Sequence, residues 1–408
     1  MDAVGLSIAM GSLMRIGMIL PSRFPPDIRV EKEIRTLQAK HEICLLCLKR
    51  GNQPSTELLR GVRIRRVFTD WQRGWSHWRL LRTCRSGLWS QAIREFVREY
   101  RPDVLHVHDL PLLGPALEVA RGSCVPVVAD LHENYPAMLA ARHALPFWRT
   151  ASLGAWVFRL FARIDRWKAY EREAVAKADR VITVIDEARD RLVREGIEPA
   201  RISVVGNYAS LDAIDKSRDR QDGLFHALYA GNFGPTRDLG TVVSAIASLP
   251  RQEYPALRVQ LVGGSGTELT RLRRMVEDLE VGDRVSVLPW LPLAEAERRM
   301  DDADVGLVPH VKSEHTDATI PHKLFQYMWR RLPVVVSDCA PLERIVNATG
   351  CGLSYRNGDA AALADCLRRL CRDRDLVTRM GEAGHLAVGD RYNWDEAGKE
   401  LLRVYDNL

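Results

Sequence analysis

Nowhere in the 408 residues is there an uninterrupted apolar run of the roughly 18–20 residues that a membrane-spanning helix needs, so any membrane contact is expected to be peripheral. Met1–Leu13 is mildly apolar but lacks a basic leader and a small-residue cleavage site; it is expected to be a dispensable extension ahead of a first strand starting near Met14-Arg15-Ile16. Paired cysteines at zinc spacing are also missing. Cys44 and Cys47 form one CxxC inside the apolar run ICLLCL, and Cys84, Cys124, Cys339, Cys351, Cys366 and Cys371 supply no second pair. They read as small hydrophobes in a reducing cytoplasm. No first strand leads into Gly-x-Gly-x-x-Gly, which weighs against a nicotinamide dehydrogenase. Neither disorder nor a fibre fits a chain with 46% hydrophobic and 27% charged residues, and its length suffices for two domains with separate cores.

What is present is unevenly charged. Residues 1–205 carry 33 Lys and Arg against 23 Asp and Glu; residues 206–408 carry 26 against 30, and the whole chain stands at +6. The halves are therefore expected to meet different partners, with an anionic membrane surface, a phosphorylated acceptor or nucleic acid suited to the first.

Short apolar runs alternate with longer helical patterns. Ile16–Leu20, Ile43–Leu48, Val104–Val107, Val125–Ala129 and Val181–Val184 read as buried strands, with helices such as Gln91–Glu99 between them. The pattern restarts with Ala227–Ala230, Val259–Val262, Val285–Leu288, Val305–Val308 and Val334–Val336. This predicts two α/β, doubly wound Rossmann-like domains at 14–206 and 224–390, joined by the polar linker 207–223, with the ligand where the carboxyl ends of the strands face each other. A last helix near Trp394–Tyr405, within 391–408, is expected to pack back on the first domain.

One helical stripe unites Leu153, Trp156, Val157, Leu160, Phe161, Ile164 and Trp167, with Arg159, Arg163, Arg166 and Lys168 mostly off it. Upstream, Trp71, Trp75, Trp78 and Trp89 interleave with Arg73, Arg79, Arg82 and Arg85. A core helix with a solvated basic face and a helix leaning on an anionic membrane both fit. No RNA-binding module signature accompanies the pattern, so nucleic acid is not an expected partner.

The richest segment is Thr319-Ile-Pro-His-Lys-Leu-Phe-Gln-Tyr-Met-Trp-Arg-Arg-Leu-Pro-Val-Val-Val-Ser-Asp338. Pro321 suits a helix's first turn, the helix is expected to run to about Arg331, and Pro333 then opens a strand. Free backbone N–H groups near His322 and Lys323 would form an anion site, to which the Lys323 ammonium adds a full charge. Gln326, one turn on, faces the same way. A second phosphate contact is expected from Leu228-Tyr-Ala-Gly231-Asn232-Phe-Gly234 and Arg237, a strand running into a glycine turn. Val262-Gly-Gly-Ser-Gly266 reads as no more than a tight turn.

Together these segments resemble the family 4 retaining glycosyltransferases. The first is similar to their "PnKlfEYm…G.PVV.SD" signature and the second to their "yvGnl" diphosphate loop. In the same order as in that family, Asp27-Ile-Arg-Val30 resembles "DpRV", His106-Val-His-Asp109 "hvHd", Asp130-Leu-His-Glu133 "yd.HE", Ala178–Thr183 "aD.vi.vs" and Asp304–Pro309 "aDvgl.P". The resemblance covers the chain from about Met14. It implies a GT-B fold and retaining transfer from a nucleoside-diphosphate sugar to a lipid-linked or saccharide acceptor in surface polysaccharide or glycolipid synthesis. The implied location is cytoplasmic, peripheral at the inner face of the membrane. The donor would be a co-substrate, with no cofactor and no essential metal. Donor-binding positions would be Gly231, Asn232, Arg237, Thr319, Ile320, Pro321, His322, Lys323, Leu324 and Gln326, with His132 as the catalytic residue orienting the donor sugar. Asp27, Arg29, His108 and Glu133 would lie on the acceptor side; Asp27 and Arg29 equally fit a role at the start of the following helix. Where many relatives have two glutamates, this chain has Gln326 and, near the other position, Asp317-Ala318, which leaves ribose gripping open. Two other readings stay in play: a non-catalytic nucleotide- or glycan-binding partner, which Gln326 favours, and a GT-B sugar-nucleotide epimerase, which would need acidic catalytic groups that the sequence alone does not place.

Overall fold

A computed structural model describes residues 13–68, 75–144, 153–211 and 222–408. Continuous apolar runs form two parallel sheets. The first lobe holds β1 (Arg15–Arg23), β2 (Glu42–Leu48), β3 (Thr56–Leu59), β4 (Val62–Val67), β5 (Val104–His108), β6 (Val127–Leu131), β7 (Arg180–Thr183) and β8 (Ile202–Val204), in the order β3-β4-β2-β1-β5-β6-β7-β8. Only β3 runs antiparallel to its neighbour. The second lobe holds β9 (Phe225–Ala230), β10 (Leu257–Gly264), β11 (Val285–Pro289), β12 (Val305–Val308), β13 (Val334–Ser337) and β14 (Gly352–Tyr355), in the order β11-β10-β9-β12-β13-β14. In each sheet the chain winds outward in both directions from a central pair, β1/β5 and β9/β12. Crevices open at the carboxyl ends of such pairs, and there the predicted site residues emerge.

The predicted strands are all present, with ends displaced by a few residues. β3, β4, β8 and β14 were not foreseen. The predicted single helical stripe from Leu153 to Trp167 is instead two helices, Leu153–Phe161 and Ile164–Lys177. Arg163 leaves helical geometry at φ −95° and ψ 86°. The break lets Phe158, Ala162 and Trp167 all reach the core, and Trp167 then donates its indole N–H to the Leu81 carbonyl at 2.8 Å. Trp156 and Leu160 are consequently 60% and 73% exposed. Trp89 departs from the expected Trp/Arg surface in the other direction, being fully buried in the first-lobe core; Trp71 and Arg73 lie outside the described residues.

The chain crosses between lobes twice at one place. Of the expected linker, 212–221 lies outside the described residues. Before it, Ala209 bridges Asn393, and the Trp394 N–H donates to the Ala209 carbonyl at 2.9 Å. The helix Trp394–Asp406, N-capped by Asn393, then lies on the first lobe, where Trp394, Ala397, Leu401, Val404 and Tyr405 pack with Val30, Ile34 and Ile182. Truncating the fully buried Leu401 removes part of this seam. Leu401→Ala is expected to cost about 2–4 kcal/mol, read as a fall in melting temperature, whereas Leu386→Ala, at a site 62% exposed, is expected to leave it nearly unchanged.

Candidate active site

In the second lobe two turns meet. The helix His322–Trp329 starts behind Pro321, and no side chain caps it. Its backbone N–H groups at His322 and Lys323 thus stay available, while that of Leu324 is bonded to the Pro321 carbonyl at 3.1 Å. The Lys323 ammonium lies over the Tyr229 ring, 3.6 Å from its centroid. It reaches that spot because residue 231 is glycine: φ is +146°, and a Cβ there would collide with Nζ. Gly263, at φ +113°, is tied to the same turn, because a Cβ there would strike the Gly231 carbonyl. The Val262–Gly266 turn is therefore part of the frame that shapes the site. Arg237 follows, bonded through Nη1 to Thr236 Oγ1 at 2.7 Å. Among the described residues no carboxylate pairs with Lys323 or Arg237. Burial, and then Arg237, push the Lys323 ammonium well below its ordinary value. Beneath them His310 is buried, and neither ring nitrogen has a partner among the described residues. The pocket is lined by basic groups.

The first lobe carries the opposite arrangement. At the ends of β5 and β6 the register places His108 beside Asp130. Asp130 Oδ1 accepts from Arg29 Nη2 at 3.0 Å, and its Oδ2 accepts from His132 Nε2 at 2.6 Å, His108 Nδ1 at 3.2 Å and His106 Nε2 at 3.4 Å. Burial alone would raise Asp130, but Arg29 and then His132 hold it well below the usual carboxylate range. Glu33, one helical turn from Arg29 and 2.8 Å from its Nε, goes the other way: burial and Asp130 push it up to about 8. One carboxylate oxygen each from Glu33 and Asp130 and one ring nitrogen each from His106 and His108 lie within 4.8 Å of one another, and Arg29 already supplies positive charge there. Burial depresses His132, but Asp130 and Asp109 outweigh it and raise the imidazole to about 9. His132 is therefore a cation at neutral pH, 22% exposed and held from behind.

The two turns face each other. Thr319 Oγ1 donates to the His132 carbonyl at 3.3 Å, and His315 Nε2 lies 3.9 Å from Glu133 Oε2. Burial and Asp109 push Glu133 up to about 7, with Arg237 among the groups opposing them. His132, Glu133, Thr319, Lys323, Arg237, Gly231 and Asn232 are thus brought together. Asp27 caps the first helix through the Val30 N–H at 3.2 Å. Several expectations need correction. Arg29 and His108 do not line the cleft: they are 6% and 0% exposed and serve Asp130 from inside. Ile320 and Leu324 are buried in the second-lobe core, so only their backbone faces the site. The His322 ring turns away to the Tyr208 carbonyl at 3.1 Å, and Gln326 bonds to that ring. Asp317 is spent on the Ala340 N–H at 2.8 Å. Glu33, His310, His315 and Tyr405 carried no local signal.

Two family models match in tandem: "Glycosyl transferase 4-like domain" over residues 27–208 and "Glycosyl transferases group 1" over 212–386. This chain belongs to the family 4-like GT-B glycosyltransferases. It is 29% identical to a D-inositol 3-phosphate glycosyltransferase of Nocardia farcinica over 58% of this chain and 54% of that protein. The match spans about half the length of the first curated relatives. Among solved structures, sucrose-phosphate synthase from Thermosynechococcus elongatus superposes with a TM-score of 0.78 at 18% identity, covering 97% of this chain and 98% of that one. The Anabaena protein HepE in complex with UDP-glucose gives a TM-score of 0.69 at 16% identity, covering 97% and 100%. The two sheets of this glycosyltransferase fold and their facing strand ends agree with the architecture expected from its sequence.

The raised imidazole has a consequence for stability. His132 titrates near 6.5 when unfolded and at about 9 when folded. Its contribution is therefore fully present below about pH 6.5 and is lost progressively as pH rises to about 9. Glu33, raised to about 8, adds a loss in an overlapping range, so the comparison with a variant isolates His132. The melting temperature of wild type minus that of His132→Gln is expected to shrink between pH 6.5 and 9; a constant difference would contradict the assignment.

Proposed function

We propose that the protein transfers a sugar from a nucleoside-diphosphate sugar, with retention and without a metal, to a lipid-linked or saccharide acceptor in surface polysaccharide or glycolipid assembly. The observation that carries the reading is the Lys323–Arg237 pair: two basic side chains at an uncapped helix start, with no carboxylate paired to either among the described residues and with a glycine opening the approach. A diphosphate supplies the missing charge and accepts the free N–H groups. As the bond from the anomeric carbon to the diphosphate breaks, the electron pair goes to the phosphate oxygen, where these cations stabilise it. The acceptor oxygen forms the new bond to the anomeric carbon, and its proton passes to the departing phosphate oxygen. His132, charged and oriented from behind, donates to the donor sugar from the facing lobe. The solved complex of HepE with UDP-glucose, alike in fold, supports a nucleotide-sugar ligand. Asp27 and Glu133 are the acceptor-side groups of this reading, and Gln326 serves the ribose only if it exchanges its bond to His322.

A non-catalytic nucleotide-binding role is the second reading, supported by the amide at Gln326. Thermal shifts with UDP, GDP and ADP, combined with nucleotide release from UDP-glucose and GDP-mannose, separate the two. Transfer predicts both a shift and release; a binding partner shows the shift alone. Lys323→Ala is expected to weaken nucleoside-diphosphate binding about 10–100-fold, the loss of a charge-assisted contact, and unchanged affinity would remove the basis of the reading.

The cytoplasmic face of a membrane is the proposed location. Exposed Trp156 and Leu160 sit on one helix with Arg159 and near Arg163, and Arg82 lies 5.7 Å from the Phe161 ring. No helix among the described residues is long and apolar enough to cross a membrane. Binding to phosphatidylglycerol vesicles is expected to fall with added salt and with the double change Trp156→Ala, Leu160→Asp; indifference to both rejects the surface.

A further inference from the structure

The last helix carries one polar group that packing alone does not explain. Tyr405 is 2% exposed, and its hydroxyl lies 2.5 Å from His106 Nδ1. On the other side of that ring, Nε2 faces Asp130 Oδ2, the same oxygen that holds His132 Nε2 at 2.6 Å. The hydrogen-bonding roles in this row are determined by chemistry. An ionised Asp130 can only accept, so His106 carries a proton on Nε2, and in the neutral imidazole Nδ1 is then the acceptor. Burial, and then Glu33 and Asp130, keep the Tyr405 hydroxyl protonated, well above its usual range, so it is the donor that Nδ1 needs. We propose that Tyr405 is a positioning residue: by fixing the tautomer of His106 it orients Asp130, and through Asp130 it sets the direction and charge of His132.

The row joins the part of the chain that crosses back from the second lobe to the group facing the donor pocket. Its surroundings are closed. Arg29, Glu33 and His108 face Asp130; Asp109, Arg29 and His108 face His132, with Glu133 next in the chain; and His41 lies beside Tyr405 with ring centroids 5.8 Å apart. Without the hydroxyl, Nδ1 is left buried without a donor. If the proton moves to Nδ1, an Nε2 lone pair opposes the Asp130 carboxylate.

The inference rests on His132 acting on the donor, but one arm of its test does not. In free protein carrying 13C-labelled histidine, with His132→Gln used to assign the signal, Tyr405→Phe is expected to move the His132 titration midpoint by about 0.5 unit or more. In turnover of UDP-glucose or GDP-mannose it is expected to lower kcat about tenfold, with donor KM changed less than about twofold. Leu401→Ala, which loosens the same helix but keeps the hydroxyl, is expected to lower the melting temperature while leaving the His132 midpoint and kcat in place. Wild-type midpoint and kcat in Tyr405→Phe would overturn the proposal, as would an equal loss in Leu401→Ala. If no sugar nucleotide is turned over by wild type but the midpoint moves in Tyr405→Phe, the positioning role stands and the transferase reading falls.

Discussion

Asp130 is shut away from water, and an unsupported carboxylate in such a place would take up a proton. It stays ionised because a guanidinium and three imidazoles surround it, and that requirement shapes the first lobe. Arg29 must point inward, which fixes the helix that Asp27 caps. β5 and β6 must end side by side, so that His108 pairs in register with Asp130. His132, two residues beyond Asp130, then has only one direction in which to face. The imidazole at the cleft is thus the visible end of an interior charge balance, and its charge at neutral pH follows from that balance.

The second lobe leaves its charges unbalanced. Lys323 and Arg237 lie near each other without a carboxylate among the described residues, and His310 sits neutral beneath them. Such an arrangement costs stability in the free protein. Under the proposed reading a diphosphate would find these basic groups already in place, the arrangement by which preorganised electrostatics lower a barrier. The contrast between the lobes explains why the net charge of each half misleads about its site. The basic first half buries the network centred on the Asp130 carboxylate, and the mildly acidic second half gathers Lys323 and Arg237 in one pocket.

What could be read from the sequence follows the range of each interaction. Buried parallel strands are continuous apolar runs, so their positions were plain, whereas β4 is Val-Arg-Ile-Arg-Arg-Val and hides among its charges, and β8 has only three residues. The helix start at Pro321 and Lys323 was legible because its signals lie within a few residues of one another. The break at Ala162-Arg163 was not, because Phe158 with Ala162 and Trp156 with Leu160 fit helical spacing equally well, and only the first-lobe core chooses between them. Arg29 was misplaced for the same reason. Its partner Asp130 lies 101 residues away, and Tyr405 and His106 are separated by 299, distances at which spacing carries no information.

The contacts between the lobes differ in kind from those within them. Near the site they are mostly polar: Thr319 donates to the His132 carbonyl, His315 lies by Glu133, and Arg344 grips Glu187 of the first lobe through both Nε and Nη2. Where the chain crosses, the Tyr208 ring packs edge-on against Phe325 and Tyr392, and the Tyr208 carbonyl takes hydrogen bonds from both Lys32 and His322. The crossing is therefore built into the first turn of the helix that borders the Lys323–Arg237 pocket, through His322 beside Lys323.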